Sequence, residues 1–477
     1  MSNSKTHILI FPYPAQGHML PLLDLTHQLA LQTTITTLTF TIIITPKNLP
    51  ILNPLLSTHP NTIQTLILPF PSHPKIPQDA ENIRHVGNTG NYPFINALSN
   101  LQSPIIHWFN THPNPPVALI SDFFLGWTHQ LATRLNIPRL AFYSISSFLI
   151  SVINCCWSNS NSSTQLLKKK NDEVVQFSDI PGTPEFKYEH LPSLILRYKE
   201  SDPESEFVRD SFISNAASWG FILNTCKALD GPYLDHIRAE FGGNQRVFAV
   251  GPLSSIRVDA NLDGGSDVLR WLDQLEEDGS VLYVCFGSQK LLKKEQMEAL
   301  AFGLERSGTP FVWVVKEPST AEQLEEGYGL VPEGFEDCVS GRGIVVRGWA
   351  PQMAILGHRI VGGFLSHCGW NSVLEAVVAG VGILGWPMEA DQFVNARLLV
   401  EDMGVAVRVC EGADSVPNPD VLGRVVSGVM TGDSPQKRRA KLMREEVVGA
   451  VSKGGVSSKE LDELIQVLKQ LGVKEGS

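Results

Sequence analysis

The sequence predicts an α/β protein of two doubly wound halves, on three observations. Short apolar runs rich in β-branched residues alternate with helical patterns, first over residues 7–44 and again from residue 117 onward. The rhythm stops at a glycine- and proline-containing stretch that begins near residue 251, and resumes more regularly after residue 280. The 477 residues also exceed what one hydrophobic core usually holds.

Residues 7–11 read as a buried strand and residues 12–17 as a turn-rich loop. From His18, the spacing of Leu20, Leu23, Leu29 and Ala30 marks an amphipathic helix, which leads to a β-branched strand over residues 37–44. A strand–helix–strand unit of this length implies parallel pairing and a right-handed crossover. Residues 117–121, 126–135 and 139–143 repeat the unit. Residues 50–116 are dotted with prolines, and residues 158–210, with Lys168, Lys169 and Lys170, form a second irregular stretch. Long interruptions of a regular fold carry binding or are mobile.

Strands at 221–226 and 247–250 close the first half, residues 1–250. Residues 251–265, from Gly251-Pro252 to Asp263-Gly264-Gly265, are the expected linker. The second half, residues 266–455, carries strands at 281–286, 311–315, 344–347, 360–365, 381–384 and 405–409. Helices fall at 294–305, at 371–379 and after Asp391. Residues 456–477 end the chain: Ser457 and Glu460 have the spacing of a capping box, and Leu461, Leu464, Ile465, Leu468 and Leu471 form one stripe. That stripe is expected to dock on the protein's own surface.

Composition excludes several classes. Apolar residues are 43% and charged residues only 18%, unlike a disordered chain. The net charge of -11 argues against binding nucleic acid or an anionic membrane, which requires a basic field. Seven cysteines without a CxxC read as reduced thiols in a cytoplasmic protein. The short apolar start broken by Pro12 and Pro14 is not a signal peptide, no run of 18 apolar residues is present, and the sequon at Asn161 carries no weight without a secretion route.

Ligands of doubly wound sheets lie beyond the carboxyl ends of the strands, so the residues just after each strand matter most. Gly380, Gly382 and Gly385 match GxGxxG, but Gly380 ends a helix, the run is strand-like and Pro387 follows, so a nicotinamide or flavin site is not expected. No histidine stands at metal-ligand spacing, and no metal is expected. Ser366 and His367 end a strand, and Trp370, Asn371 and Ser372 open a helix. Its unpaired N–H groups and dipole suit a phosphate, and Glu375 on the same face suits a pair of vicinal hydroxyls. An ordinary capped helix with a neutralised Glu375 explains the same residues. His18 and Asp122 each follow a strand and could meet as a general base and its partner; as single residues they could equally be caps.

Residues 349–392, WAPQMAILGHRIVGGFLSHCGWNSVLEAVVAGVGILGWPMEADQ, resemble the signature box of plant UDP-sugar-dependent glycosyltransferases acting on small molecules. PYPAQGHMLPLLDL at 12–25, Asp122 within LISDFFLGW, Val250-Gly251-Pro252 and Phe286-Gly287-Ser288 resemble the same family, so the likeness spans the chain. The resemblance implies the GT-B fold: two Rossmann-like domains facing across a cleft, the acceptor mostly in the first, the nucleotide sugar mostly in the second, and a C-terminal segment packing back on the first. It implies that Trp349 stacks on uracil, with Ala350 and Gln352 near the base and ribose, and that Glu375 takes the ribose hydroxyls. It places Ser288, His367, Asn371 and Ser372 around the diphosphate and Trp370, Asp391 and Gln392 at the sugar. His18 is then the catalytic base and Asp122 its partner.

Gln392 is the family's usual residue for a glucose donor, and Gly382 stands where a proline is common, which loosens the backbone there. The implied reaction is inverting transfer of glucose from UDP-glucose to a flavonoid or other phenolic hydroxyl, with xylose or rhamnose as alternative donors, by a monomer without a metal. The opening and the WPMEADQ end resemble the subgroup acting on flavonols and hydroxybenzoates. Phe94, Phe142, Trp157, Phe186 and Tyr188 are the candidates for an aromatic acceptor pocket, or else belong to the core. The rival readings are a non-catalytic nucleotide-binding protein and a dehydrogenase.

Overall fold

A computed structural model describes residues 6–31, 38–157, 173–241, 246–253, 266–318 and 320–472. Asn161, Lys168–Lys170 and most of the expected linker, 254–265, lie outside them. The chain divides into two compact units, residues 1–256 together with 450–477, and residues 257–449.

The first unit holds a seven-stranded sheet of β1 (Thr6–Phe11), β2 (Leu38–Ile44), β3 (Ile63–Ile67), β4 (Ala118–Asp122), β5 (Arg139–Tyr143), β8 (Gly220–Leu223) and β9 (Arg246–Ala249), ordered β3-β2-β1-β4-β5-β8-β9. Every neighbouring pair is parallel. β1, β4 and β5 are buried along their whole length, which is why they read as unbroken apolar runs rather than alternating ones. The helix Gln16–Leu31 returns the chain from β1 to β2 and packs Leu22, Leu25 and Leu29 against Ile8, Ile10 and Phe40. A separate antiparallel hairpin pairs β6 (Val174–Gln176) with β7 (Glu185–Lys187).

Both irregular stretches contain regular elements. Residues 50–116 include β3 and the helices Asn53–Thr58, Asn91–Ser99 and Gln102–Thr111. Pro54 sits in the first turn of one of them, where a missing N–H costs nothing. β3 is a half-exposed edge strand, so it shows little apolar pattern. The second stretch holds the helix Pro203–Ser214, whose N-cap Asp202 accepts from Ser205 N at 3.0 Å.

The C-terminal helix Val456–Gly472 packs Leu464, Ile465 and Leu468 into the first unit's core, flanked by the half-buried Leu461 and Leu471. The capping box does not form. Ser457 lies inside the helix with its Oγ buried and without a hydrogen-bond partner among the described residues. Glu460 instead accepts from Arg238 at 2.7 Å and from Ala249 N at the end of β9. Charge-assisted bonds to a guanidinium and a strand-end N–H outweigh closing a cap.

The second unit holds a six-stranded parallel sheet of β10 (Val281–Cys285), β11 (Phe311–Val315), β12 (Gly343–Arg347), β13 (Val361–Ser366), β14 (Gly382–Gly385) and β15 (Ala406–Arg408), ordered β12-β11-β10-β13-β14-β15. Leu282, Val284, Trp313 and Leu365 meet Met297 and Leu300 of the helix Lys294–Ser307 and Leu422 and Val426 of the helix Pro419–Met430. The glycine triplet is not a dinucleotide loop: Gly380 ends the helix Trp370–Ala379 at φ 76°, and Gly382 and Gly385 bound β14. Gly382 pairs with Gly363, and Lys437 lies over it, donating to Gly279 O, Met430 O and Gly432 O.

Among the described residues, no helix is long and apolar enough to cross a membrane, and no three His, Cys, Asp or Glu side chains gather to hold a metal ion.

Candidate active site

In both sheets the strand order reverses at one place, between β1 and β4 in the first and between β10 and β13 in the second. Adjacent loops diverge to opposite faces there and leave a crevice at the carboxyl ends of the strands. The polar residues singled out in the sequence cluster at these two places.

His18 lies in the first turn of the helix that follows β1, and Asp122 ends β4. Phe11 pairs with Ser121, so the two strands end level. His18 Nδ1 stands 3.1 Å from Asp122 Oδ1 and 3.0 Å from Oδ2, across 104 residues of sequence. Asp122 also behaves as a cap, accepting from Phe124 N at 2.8 Å at the start of the turn Phe123–Leu125. The carboxylate is completely buried while the imidazole keeps 17% exposure. With a carboxylate as acceptor, Nδ1 carries the hydrogen and Nε2 keeps its lone pair.

Aromatic rings enclose the imidazole. Phe123 stacks on it at 5.3 Å and 19°, Phe124 lies 4.3 Å away, and Tyr13 meets it edge-on at 5.3 Å. Tyr13 is held by donating to Asn91 Oδ1 at 2.7 Å, and burial raises its phenol well above the usual range. On the far side of Phe123, a small cavity of about 10 Å³, room for roughly one water molecule, is bounded by Tyr143, Ile150, Ile153 and Phe212, with Asn154 and Asn215 among its polar groups.

The acceptor candidates fall in different places. Phe142 is fully buried in the core with Ile8 and Ile120, whereas its neighbour Tyr143 points to the opposite face of β5 and lines the cavity. Trp157 packs on Phe212, one residue removed from the same cavity. Phe94 is buried against Phe70. Phe186 belongs to the β6–β7 hairpin and packs on Phe148 and Phe177; Tyr188 follows in the turn Tyr188–His190. None of the five contacts the His18 ring in the way Phe123 and Phe124 do.

In the second unit the helix Trp370–Ala379 starts at Gly369, and no side chain caps it from that position. Asp391 Oδ2 accepts from Trp370 N at 3.3 Å and from Asn395 at 2.6 Å, and Asn395 in turn donates to Cys368 O. His367 sits between two glycines: a Cβ on Gly287 or on Gly369 would stand 2.8 or 2.6 Å from its ring. Its Nδ1 is buried without a hydrogen-bond partner among the described residues, and burial pushes its pKa down to about 4, so the ring is neutral near pH 7. Ser288 follows Gly287 in the turn after β10 and is exposed.

Gln352 joins the helix Gln352–Leu356 to the Trp370–Ala379 helix. Its Nε2 donates to Glu375 Oε2 at 2.5 Å and to Ser372 Oγ at 3.3 Å, and its Oε1 accepts from Tyr283 OH at 3.2 Å. Gln352 therefore orients Glu375. Gln392 Oε1 accepts from Met388 N and Glu389 N at 2.9 and 3.1 Å, which fixes the direction in which its amide points. Trp349, in the loop after β12, is 61% exposed with Ala350 buried beside it; a tryptophan offered to solvent at a strand end suits stacking. All these residues lie at the carboxyl edge of one parallel sheet.

Sequence reasoning missed Tyr13, Phe123, Phe124 and Asn215. The pair of phenylalanines directly after Asp122 was a signal available in LISDFF. Asn215 had none, since only the fold brings it back to β4.

The family model for UDP-glucoronosyl and UDP-glucosyl transferase matches residues 264–424. UDP-glycosyltransferase 89A2 of Arabidopsis thaliana is 50% identical, with 96% of this chain and 95% of that protein covered. The flavonol 3-O-glucosyltransferase UGT89B1 of the same plant is 47% identical, with 99% and 98% covered. The crystal structure of Arabidopsis thaliana UGT89C1 complexed with UDP-L-rhamnose superposes with a TM-score of 0.79 at 34% identity, covering 98% of this chain and 99% of that one.

Proposed function

The chain belongs to the plant UDP-glycosyltransferase family, and from that premise we propose that it transfers glucose from UDP-α-glucose to a hydroxyl of a flavonol or related phenol, with inversion to a β-glucoside. The observation that carries this reading is the contact between His18 Nδ1 and the buried Asp122, which leaves Nε2 as a base inside an aromatic enclosure. As the acceptor oxygen attacks the anomeric carbon, its proton passes to Nε2. The bond from that carbon to the diphosphate oxygen breaks, and UDP leaves with the electron pair. A phenol with a pKa near 10 needs no stronger base than a neutral imidazole. Asp122 stabilises the imidazolium as it forms.

Negative charge on the departing UDP falls to the start of the Trp370–Ala379 helix, with His367, Asn371, Ser372 and Ser288 around it. Trp349 stacks on the uracil, beside the backbone of Ala350, and Glu375, oriented by Gln352, takes the ribose hydroxyls. Trp370, Asp391 and Gln392 address the sugar. The name of one relative supports glucose and a flavonol, whereas the UDP-L-rhamnose complex of another supports rhamnose as the second donor. Gln392 favours glucose.

The test is a donor panel of UDP-glucose, UDP-galactose, UDP-xylose, UDP-rhamnose and UDP-glucuronate against flavonols and hydroxybenzoates, read by mass spectrometry with and without EDTA. Glucoside formation that persists in EDTA supports the proposal. Transfer of another sugar alone overturns the donor assignment. A loss restored only by Mg²⁺ or Mn²⁺ overturns the account of charge stabilisation, and no transfer with any pair overturns the function.

A further inference from the structure

Arg139, the first residue of β5, is 1% exposed, and the partners of its guanidinium are all neutral. Nε donates to Ser121 Oγ at 2.8 Å, and one terminal nitrogen donates to Asn215 Oδ1 at 2.9 Å and Ser218 Oγ at 2.7 Å. The other terminal nitrogen reaches Asp122 O at 3.4 Å and Leu125 O at 3.5 Å. Asn215, 2% exposed, closes the loop by donating its Nδ2 to Phe123 O at 2.8 Å. Ser211, one turn earlier, accepts from Trp127 N at 2.9 Å, and Gly126 lies so near that its Cβ would stand 1.8 Å from Ser211 O.

A buried guanidinium is costly to desolvate, and an apolar residue of similar volume often serves stability as well or better. Here its planar fork spans residues 121–125, the segment that carries both the carboxylate facing His18 and the ring stacked on it. Two of that segment's carbonyls and one hydroxyl are tied to Arg139, and a third carbonyl is tied to Asn215. A lysine could not span these positions, because the ammonium is a point donor without the rigid fork.

We propose that Arg139 and Asn215 are positioning residues of the His18–Asp122 pair, acting together as a clamp that fixes the 121–125 turn and thereby the tautomer and tilt of the His18 ring. The catalytic consequence rests on His18 being the base, as argued above; the clamp itself does not. Neither side chain touches the imidazole. They act through the backbone of Asp122 and Phe123, so their loss displaces the carboxylate without removing it.

The experiment compares wild type, Asn215→Ala and Arg139→Lys for kcat, KM, thermal melting and the ring-nitrogen NMR signals of ¹⁵N-histidine protein, with His18 assigned by its loss in His18→Ala. Asn215→Ala is expected to lower kcat about 10²-fold with KM for UDP-glucose unchanged, since misplacement of this kind acts on the chemical step. The His18 signals should change from one Nδ1–H tautomer to a mixture. Arg139→Lys is expected to follow the same pattern, and if it fails to fold, Asn215→Ala carries the test alone. A folded Asn215→Ala variant with wild-type kcat and unchanged His18 signals overturns the proposal. If the wild type transfers no sugar, the functional reading falls, while the NMR comparison still decides whether the clamp holds the ring.

Discussion

The imidazole of His367 and the backbone of Gly287 lie closer together than any side chain at residue 287 permits, since a Cβ there would stand 2.8 Å from the ring. The two residues stand just beyond the ends of β10 and β13, where the strand order of the second sheet reverses. Gly287 also holds φ at 75°, which disfavours any residue with a Cβ by about 1–2 kcal/mol. Gly287→Ala is therefore expected to lower the melting temperature and to raise the Kd for UDP about tenfold by pushing His367 off its seat. Calorimetric titration with UDP checks this, and a lowered melt with unchanged affinity would detach His367 from the diphosphate.

His18→Ala removes the proposed base and is expected to lower turnover on a phenol by ~10²–10⁴-fold with circular dichroism unchanged. Asp122→Asn leaves the ring in place but offers a donor to Nδ1, which favours the tautomer with hydrogen on Nε2. It should lower kcat by a similar factor while the KM for UDP-glucose stays put. Near wild-type turnover in either variant removes the pair from its role.

His367 gives acid sensitivity a definite sign. Burial holds its folded pKa at about 4, below the ordinary 6.5, so the folded state binds fewer protons than the unfolded one between these values. The associated stability is present above pH 6.5 and is lost as the pH falls to 4, by at most about 3 kcal/mol. Asp230 works in the opposite direction. It is buried, accepts from Ser147 N and Thr225 Oγ1, and its pKa is raised to about 6, so its share of stability is lost as the pH rises from about 4 to 6. Urea denaturation of wild type and His367→Gln between pH 7 and pH 4.5 should show the variant losing less stability on acidification. Parallel curves would refute the sign.

Glu460 ties the C-terminal helix to Arg238 and to Ala249 N at the end of β9. Its side chain is 16% exposed, so these bonds are screened less than a surface pair. Glu460→Ala is expected to cost about 1–3 kcal/mol, because it leaves a strand-end N–H unmatched and the Arg238 guanidinium without its carboxylate. A lowered urea midpoint at unchanged slope would show this, and an unchanged midpoint would mean that the apolar stripe alone docks the helix.

The strands and the polar residues at their ends were legible in the sequence because parallel sheets buried on both faces write themselves as apolar runs that stop abruptly. His18, Asp122, His367 and Trp370 all stand at such stops. The acceptor side was less legible. Phe142 and Tyr143 are adjacent aromatic residues on one strand, and only the sense of the pleat decides that the tyrosine borders the cavity while the phenylalanine fills the core. Ser457 and Glu460 had the right spacing for a capping box, yet Arg238, 222 residues from Glu460, competes for the carboxylate, and local spacing carries no information about a partner that remote. Asn215 reaches Phe123 over 92 residues for the same reason.

The rings of Tyr13, Phe123 and Phe124 leave the His18 imidazole almost no room to swing. A stationary base cannot search a polyhydroxylated guest for an acidic proton; the guest must slide until one of its oxygens arrives. Regiochemistry then follows from the guest's silhouette rather than from the relative acidity of its hydroxyls. Under the proposed function, reshaping the walls that decide how an acceptor lies should redirect glycosyl transfer from one oxygen to another without any change to the proton-transfer machinery.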